Sequence, residues 1–353
     1  MDVVSSLAQN WLLLALHLIN TIWRLVKMPS NDYELLDFGD WEKLERFGKH
    51  LVRRPSLYAN KPRVLKELWN GAHLTFQAGQ GGSGGQWTGT LPNNEPNSDS
   101  IGESIVADQV STTKDWSIEI SDATLQLKPT PIGHLGVFPE QQHNWQWFKR
   151  HLKPLAKKAQ STRPDKPLRA LNLFAYTGGS TIALAKCGVQ VVHLDGAANT
   201  IKWARRNASL SGVNDGVRWI AEDAMKFIRR EIKRQNHYDI FVADPPSFGR
   251  GPKKEQWRIS RDLPEMFDSI VDLMPNPIAV VVSCHTDGFD RFTMAEMLRE
   301  RFERFNDLPF GKFEELKLQL AATDGRNLDA GECVRWVSNN SIVQQRSTGP
   351  VSK

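Results

Sequence analysis

From Leu168 onward, short apolar runs alternate with longer amphipathic stretches, and this alternation limits the fold more than any other feature. Continuous apolar runs are typical of parallel strands that are buried on both faces. Strands that alternate with helices predict a parallel sheet with right-handed crossovers. The five predicted strands lie near Ala170–Phe174, Val189–Leu194, Val217–Ile220, Tyr238–Ala243 and Ile278–Ser283.

A strand-turn-strand pattern follows this alternating region. Two further strands are predicted at Glu315–Ala321 and Gly331–Val337, around a turn at Asp324–Asn327. Such a hairpin supplies the antiparallel strand of a mixed sheet. We therefore expect an α/β fold, with a Rossmann-like, doubly wound, mostly parallel sheet of seven strands and a terminal antiparallel hairpin. This domain is expected to cover residues 168–340, with a disordered tail at 341–353.

The front of the chain predicts a small β-rich domain over residues 31–132. Residues 77–103 are rich in glycine, asparagine and proline, a composition that cannot bury a core, so they predict a flexible loop. Residues 133–167 are expected to form a connecting segment with a basic helix at Gln141–Lys158. Its positive charges fit either a solvated helix face or a contact surface for a phosphate backbone; they are Lys149, Arg150, Lys153, Lys157 and Lys158.

Residues 1–30 form an apolar N-terminal extension. The run Trp11–Val26 is shorter than the roughly 20 residues that a membrane span needs, and no basic region precedes it. We expect either a segment that is not native to the protein or a loose amphipathic helix, and membrane contact is the less favoured reading. The 353-residue chain has a net charge of +5, a mild basic bias that fits a polyanionic partner. Its three cysteines lie far apart, form no metal-ligand spacing, and suit a reducing cytoplasm.

Four consecutive predicted strands end in a glycine turn or in an acid. The first strand runs into a glycine turn at Phe174–Gly179, and glycines let a backbone approach a ligand closely. The second strand ends at Asp195, where an acid accepts hydrogen bonds from ribose hydroxyls in nucleotide-binding folds. The third ends at Asp223, which is expected to take the amine of an adenine, and the fourth ends at Asp244. Together they predict a site for an adenosyl ligand without a pyrophosphate.

These residues carry a family resemblance. The stretch from about Gly133 to Ser283 resembles the class I S-adenosylmethionine-dependent methyltransferases, and among them the bacterial large-subunit ribosomal RNA methyltransferases of the I and K types. The matching segments are Gly136–Gln142, Leu171–Gly179, Trp203–Ala208, Asp223–Phe227 and Asp244–Phe248. The resemblance implies S-adenosyl-L-methionine as cofactor. It implies cofactor contacts from Phe138, Gln141, Phe174, Ala175, Tyr176, Thr177, Gly178, Gly179, Asp195, Asn207, Asp223 and Ala224. No N-terminal PUA-type RNA-binding module is visible in this sequence.

The turn Asp244–Phe248 has the composition of a catalytic turn. Its two prolines, which include Pro245, stiffen the backbone, so the turn presents Asp244 and Phe248 to a planar group. Phe248 is expected to stack on a base and Asp244 to bond the polar edge of that base. The basic, glycine-rich segment Arg250–Arg261 is expected to contact phosphates and to stack on a base through Trp257, unless it is a solvated loop.

Cys284 ends the fifth predicted strand and is expected to face the same cleft. A thiolate there would activate carbon 5 of cytosine by attack at carbon 6. His285, the next residue, would lower the pKa of the thiol. The alternative is that Cys284 is a buried structural cysteine. Methylation of guanine N7 would need no cysteine nucleophile. We therefore expect methylation of cytosine C5 or guanine N7 in RNA, with ribosomal RNA as the expected substrate. Methylation of a protein or small molecule, or cofactor binding without catalysis, stays open.

Overall fold

The computed structural model describes residues 32–79, 84–91, 116–303 and 311–339. The predictions for residues 1–30, for the tail at 341–353 and for residues 92–103 of the expected loop lie outside this part of the chain. Among the described residues, no helix combines the length and apolar character needed to cross a membrane.

The front of the chain forms a five-stranded sheet. Its strands are β1 (Tyr33–Gly39), β2 (Glu42–Phe47), β3 (His50–Pro55), β4 (Leu74–Ala78) and β5 (Gly85–Gly89), with a 3-10 helix at Lys66–Gly71. Their spatial order follows their chain order, and only β3 and β4 run parallel. A separate hairpin follows, made of β6 (Ser117–Ile120) and β7 (Ala123–Gln126).

Strand β5 corrects the prediction of a continuous flexible loop at 77–103, which was wrong for Gly85–Gly89. Trp87 anchors this strand, because its side chain is buried and its Nε1–H donates to the carbonyl of Thr130 at 2.8 Å. Gly89 has φ +103°, and a Cβ atom there would lie 2.1 Å from the carbonyl oxygen of His73. The glycines therefore allow close strand pairing here.

A 3-10 turn at Pro139–Gln141 leads into helix α1 (Gln142–Thr162), which buries Trp145, Phe148 and Leu152. The alternating region then follows as β8 (Arg169–Leu173), α2 (Gly179–Lys186), β9 (Gln190–Asp195), α3 (Ala198–Leu210), β10 (Val217–Ala221), α4 (Ala224–Lys233) and β11 (Ile240–Ala243). The remaining elements are the hairpin β12 (Phe248–Arg250) and β13 (Gln256–Arg258), then α5 (Ile259–Leu273), β14 (Ala279–Cys284), α6 (Arg291–Phe302), β15 (Gly311–Ala321) and β16 (Asn327–Ser338).

Seven of these strands form one sheet in the order β10-β9-β8-β11-β14-β16-β15. Every pair is parallel except the two that involve β16, so β16 is the antiparallel strand. This confirms the predicted mixed α/β sheet of seven strands with a terminal hairpin. The order reverses between β8 and β11, and their carboxyl ends diverge there to leave a crevice at the edge of the sheet.

The hairpin turn between β15 and β16 contacts the front sheet. Leu35 in β1 forms a parallel bridge with Ala322, and Thr323 donates through Oγ1 to the carbonyl of Leu36 at 2.7 Å. The guanidinium of Arg326 pairs with the fully buried carboxylate of Asp37. One cluster of buried apolar side chains runs from the front sheet into the large sheet. The two sheets therefore share a core.

Candidate active site

A cleft with about 1040 Å³ of empty space lies at the carboxyl ends of the central strands. Its walls combine aromatic rings, strand-end acids and the β12–β13 hairpin. The lining includes Phe138, Phe174, Tyr176, Asp195, Asp223, Ala224, Asp244, Arg250, Trp257 and His285. A smaller adjoining recess of about 500 Å³ is lined by Gln141, Ala175, Thr177, Gly178 and Gly179, and shares Phe138, Phe174, Tyr176 and Asp244 with the cleft.

The turn after β8 has an unusual backbone. Phe174 and Tyr176 adopt positive φ values of 53° and 48°, which side chains other than glycine seldom do. Gly178, the N-cap residue of α2, has φ +92°. A Cβ on Gly179 would lie 2.4 Å from the ring of Trp145, so this position requires glycine for helix packing. Strained backbone of this kind is concentrated at ligand sites, where the surrounding structure holds it in place.

Asp195 ends β9 inside the cleft. Its Oδ2 accepts from the backbone N–H of Tyr176 at 3.0 Å, and its Oδ1 accepts from Ala197 at 2.9 Å. Burial raises the pKa of this carboxyl above the usual range, although the two N–H groups oppose the rise. Each oxygen keeps a lone pair for a further donor, so the carboxylate is able to accept two hydroxyl groups.

Asp223 has a structural role in addition to its place in the cleft wall. Its Oδ1 accepts from the backbone N–H of Lys226 at 2.9 Å and caps helix α4. Such caps stabilise a helix by about 1 kcal/mol. Gly251 in the hairpin loop packs against the Cβ of Asp223, and Gly196 packs against the carbonyl of Arg250. The β12–β13 hairpin thus covers the part of the cleft that contains Asp195 and Asp223.

Asp244, at the end of β11, is held by a chain of hydrogen bonds. Gln141 donates through Nε2 to Asp244 Oδ2 at 3.0 Å and to Ser283 Oγ at 2.9 Å. The Oε1 of Gln141 accepts from Asn144 at 2.7 Å, and Asn144 accepts from Arg335 at 2.7 Å. This chain leads from β16 through α1 to Asp244 and fixes one of its two oxygens.

The other oxygen, Asp244 Oδ1, is buried and has no hydrogen-bond partner among the described residues. The Nε2 of His285 lies 3.6 Å from it, beyond hydrogen-bond range. A Cβ on Gly331 would lie 2.7 Å from the imidazole of His285, so this glycine makes room for the ring. Buried acceptors are rarely left unpaired, and one that borders a cleft marks a position for a ligand donor.

Glu140 lies one residue before Gln141 and is buried. Burial raises the pKa of its carboxyl, and the nearby His285 opposes this rise. From the sequence, His285 was predicted only to lower the pKa of Cys284, and Glu140 was not predicted as a site residue. Each is adjacent in sequence to a residue that was selected, but no periodic pattern distinguishes them from ordinary turn residues.

The prediction that Cys284 faces the cleft was wrong. Its side chain is fully buried in the apolar core, and its Sγ accepts from the backbone N–H of Thr286 at 3.3 Å. Burial raises the pKa of the thiol. A nucleophilic cysteine requires a lowered pKa and access to substrate, so the structure does not supply the arrangement expected for a covalent mechanism.

Phe248 is also not part of the cleft lining. Its side chain is 48% exposed on the β12–β13 hairpin, with the guanidinium of Arg250 at 6.0 Å from the ring centre. Trp257, which was expected to stack on a base, is instead buried against Phe174 and donates from Nε1 to the carbonyl of Pro246 at 2.7 Å. Pro245 is buried within the turn.

The structure does not bring Asn207 to the cleft. Its side chain is fully buried, donates to the carbonyl of Thr177 at 2.9 Å and accepts from the backbone N–H of Gln126 at 2.9 Å. It therefore connects the turn after β8 to strand β7, and it supports the site from behind. Within the described ranges, no cluster of three or more potential ligand residues is arranged to hold a metal ion.

The cleft combines a glycine turn, an acid suited to bind ribose and a strand-end Asp-Pro-Pro turn. It lies at the switch point of the sheet, whose strand order is 3-2-1-4-5-7-6 when its seven strands are numbered along the chain. These features define a nucleoside-cofactor site of the α/β class. Comparison with known proteins makes this class specific. A family model described as S-adenosylmethionine-dependent methyltransferase matches residues 158–296. The crystal structure of the SAM-dependent methyltransferase from Agrobacterium tumefaciens is 32% identical, with 87% of this chain and 90% of that chain covered and a TM-score of 0.71. The chain belongs to the S-adenosylmethionine-dependent methyltransferases.

Curated relatives match a shorter region. Ribosomal RNA large subunit methyltransferase K/L of Pseudomonas paraeruginosa is 29% identical over 137 residues, which are 38% of this chain and 18% of the relative. The protein of the same name from Pseudomonas savastanoi pv. phaseolicola is 31% identical over 137 residues, or 38% of this chain and 17% of the relative. The matched region thus spans less than a fifth of these relatives.

Proposed function

We propose that this methyltransferase transfers the methyl group to a base of RNA, with ribosomal RNA as the first candidate. The observation that carries the proposal is Asp244 Oδ1, a buried acceptor without a partner that borders the cleft. A base offers the N–H donor that such an acceptor requires. The ribosomal RNA methyltransferase names of two relatives support the same substrate class. A ribosomal RNA substrate would place the enzyme in the cytoplasm.

The residues of the cleft fit the cofactor. The carboxylate of Asp195 would accept the ribose hydroxyls, because each of its oxygens has a free lone pair beside a backbone donor. Asp223 would face the adenine edge, with Ala224 beside it. The turn Phe174–Gly179 would surround the methionine part, close to Asp244. S-adenosylmethionine, when bound, supplies an electrophilic methyl group on a sulfonium.

The protein's own contribution is positioning. Gln141 fixes Asp244 through Oδ2, so that Oδ1 is free to accept an N–H from the base and to orient its ring. An enzyme that aligns a nucleophile and a methyl group gains much of its rate from the entropy already lost on binding. The Nε2 of His285 lies 3.6 Å from the same carboxylate and borders the position of the base; a ring nitrogen with a free lone pair releases no proton on methylation, so no proton acceptor is required there.

The burial of Cys284 favours a nitrogen acceptor over carbon 5 of cytosine. Carbon 5 is a poor nucleophile unless a thiolate adds to the ring, whereas a ring nitrogen such as guanine N7 has a lone pair available. Because the thiol is buried and its pKa is raised, we propose that the acceptor is a base nitrogen.

The test is transfer of labelled methyl groups from S-adenosylmethionine to total RNA, followed by mass spectrometry of the nucleosides. We expect labelled base in RNA with the wild type, and loss of label with Asp244→Ala. Asp290→Asn is the matched control and should keep the label, because Asp290 is not part of the cleft lining and an asparagine still caps helix α6. Label on protein or small molecules alone would refute the RNA acceptor, and cofactor binding without any transfer would refute catalysis.

A further inference from the structure

Helix α1 carries an unusual concentration of positive charge. Its 21 residues include five lysines and arginines and no acid, so its net charge equals the +5 of the entire chain. Surface helices are usually stabilised by acids and bases four residues apart, and like charges at that spacing are destabilising. Lys149, Lys153 and Lys157 have this unfavourable spacing and are all exposed. We call these three residues the lysine row.

The lysine row borders a concave surface. A groove with about 580 Å³ of empty space lies beside it, lined by Lys149 and Lys153 from α1 and by Lys186 from α2. Of the residues that the structure describes, one acid lines this groove: Asp122, whose carboxylate pairs with Lys149 at 2.5 Å and whose carbonyl accepts from Lys186. Three ammonium groups therefore surround a single carboxylate, and the groove keeps a net positive charge.

The helix that carries the lysine row begins next to Asp244. Helix α1 follows directly after Gln141, which donates to Asp244. A rise of about 1.5 Å per residue places Lys149, Lys153 and Lys157 about 10, 16 and 22 Å along the axis from Gln142. The three lysines are thus spaced about 6 Å apart along the helix and lead away from the site. Positive charges arranged in this way can follow the backbone of a polyanion.

We propose that the lysine row binds the phosphate backbone of the RNA strand whose base occupies the site at Asp244. This inference rests on the proposed function, because it assigns a path to the substrate named there. A membrane surface fits less well. Amphipathic helices that bind membranes carry exposed apolar side chains beside their lysines, and α1 has no exposed large apolar residue among those described.

The test compares the full-length wild type with a triple variant, Lys149→Gln, Lys153→Gln and Lys157→Gln. Binding of a fluorescent single-stranded RNA is measured by anisotropy between roughly 50 and 200 mM salt. Each lost phosphate contact lowers the slope of log K against log salt by about 0.7, so we expect a slope smaller by about 2 and affinity roughly 100-fold weaker near 0.1 M salt. The matching Lys→Arg triple should retain the wild-type slope.

The matched control removes three exposed positive charges elsewhere: Arg218→Gln, Lys233→Gln and Arg234→Gln. It should keep the wild-type slope, and calorimetry with S-adenosylhomocysteine should show that every variant retains the cofactor site. An equal loss in both Gln triples, or no loss in either, would overturn the inference. If the first triple misfolds, Lys153→Gln alone should lower the slope by about 0.7.

Methyl transfer separates this inference from the proposed function. If RNA binds through the lysine row but is not methylated, the proposed function is refuted and the RNA-binding role of the lysine row is still supported. Methylation of RNA with an unchanged slope in the first triple would refute the row alone. A wild type that binds no RNA would refute both.

Discussion

Gln141→Ala tests the hydrogen-bond chain that holds Asp244. The substitution removes the donor at 3.0 Å from Asp244 Oδ2, and it removes the partner of Asn144 Nδ2 and of Ser283 Oγ. A hydrogen bond to a charged group contributes about 1.5–3 kcal/mol. Since 1.36 kcal/mol corresponds to a tenfold change in rate, kcat for methyl transfer should fall by roughly 10- to 150-fold. The same change should lower the free energy of unfolding by about 1–3 kcal/mol, because buried polar groups lose their partner.

The assay measures kcat at saturating cofactor, the Kd of S-adenosylhomocysteine by calorimetry, and unfolding in denaturant. Ser283→Ala is the matched control, because it breaks the second bond of Gln141 but leaves the bond to Asp244 in place. We expect both variants to lose stability, and only Gln141→Ala to lose kcat. Equal losses of kcat would show that loosening of the fold is the cause. A large rise in Kd with unchanged kcat would show that Gln141 acts on the cofactor, as the sequence analysis expected.

Three further predictions concern single residues. Cys284→Ser should retain methyl transfer within a few-fold, since the thiol is buried; loss of more than 100-fold in kcat, with cofactor binding intact, would restore the covalent mechanism. Asp195→Asn should raise the Kd of S-adenosylhomocysteine roughly 10- to 150-fold, as expected for a hydrogen bond to a charged group. In the wild type, affinity should fall as pH drops through the raised pKa of Asp195; an affinity independent of pH would contradict the role of its charge. Burial lowers the pKa of His193 from 6.5 to about 3. Between these pH values the unfolded state binds a proton that the folded state does not. The free energy of unfolding should therefore fall by about 3–5 kcal/mol as the pH falls from 6.5 to 3. The His193→Gln variant should lose less free energy of unfolding over this pH range, as measured by denaturant titration at each pH. An equal loss in the wild type and the variant would refute this prediction.

The buried strands could be predicted because each one is a continuous apolar run. Strand β11, for example, is Ile240–Ala243, inside the predicted run Tyr238–Ala243. Strand β5 was missed because Gly85–Gly89 offers neither an apolar run nor clear alternation. It is anchored by one side chain, Trp87, whose hydrogen-bond partner Thr130 is distant in sequence. Tertiary contacts of this kind leave no local signal.

The direction of side chains at strand ends was the main difficulty within the site. Ser283 and Cys284 are neighbours in β14, and adjacent residues of a strand face opposite sides of the sheet. Ser283 bonds Gln141 at the site, while Cys284 is buried in the apolar core. The sequence indicated that β14 ends near the cleft, but it did not indicate which of these residues faces it. Trp257 was misassigned for a similar reason, because its partner Phe174 belongs to another element.

The contact between the β15–β16 turn and β1 has a consequence for how the chain folds. Leu35 and Ala322 are joined across nearly the whole described length, and Arg326 adds an ion pair to the buried Asp37, which also accepts from Trp69 within the front domain. Neither segment can leave without breaking this ion pair and exposing part of the common core. The chain should therefore unfold as one cooperative unit. Without residues 32–91, the seven-stranded sheet would lose part of its buried core.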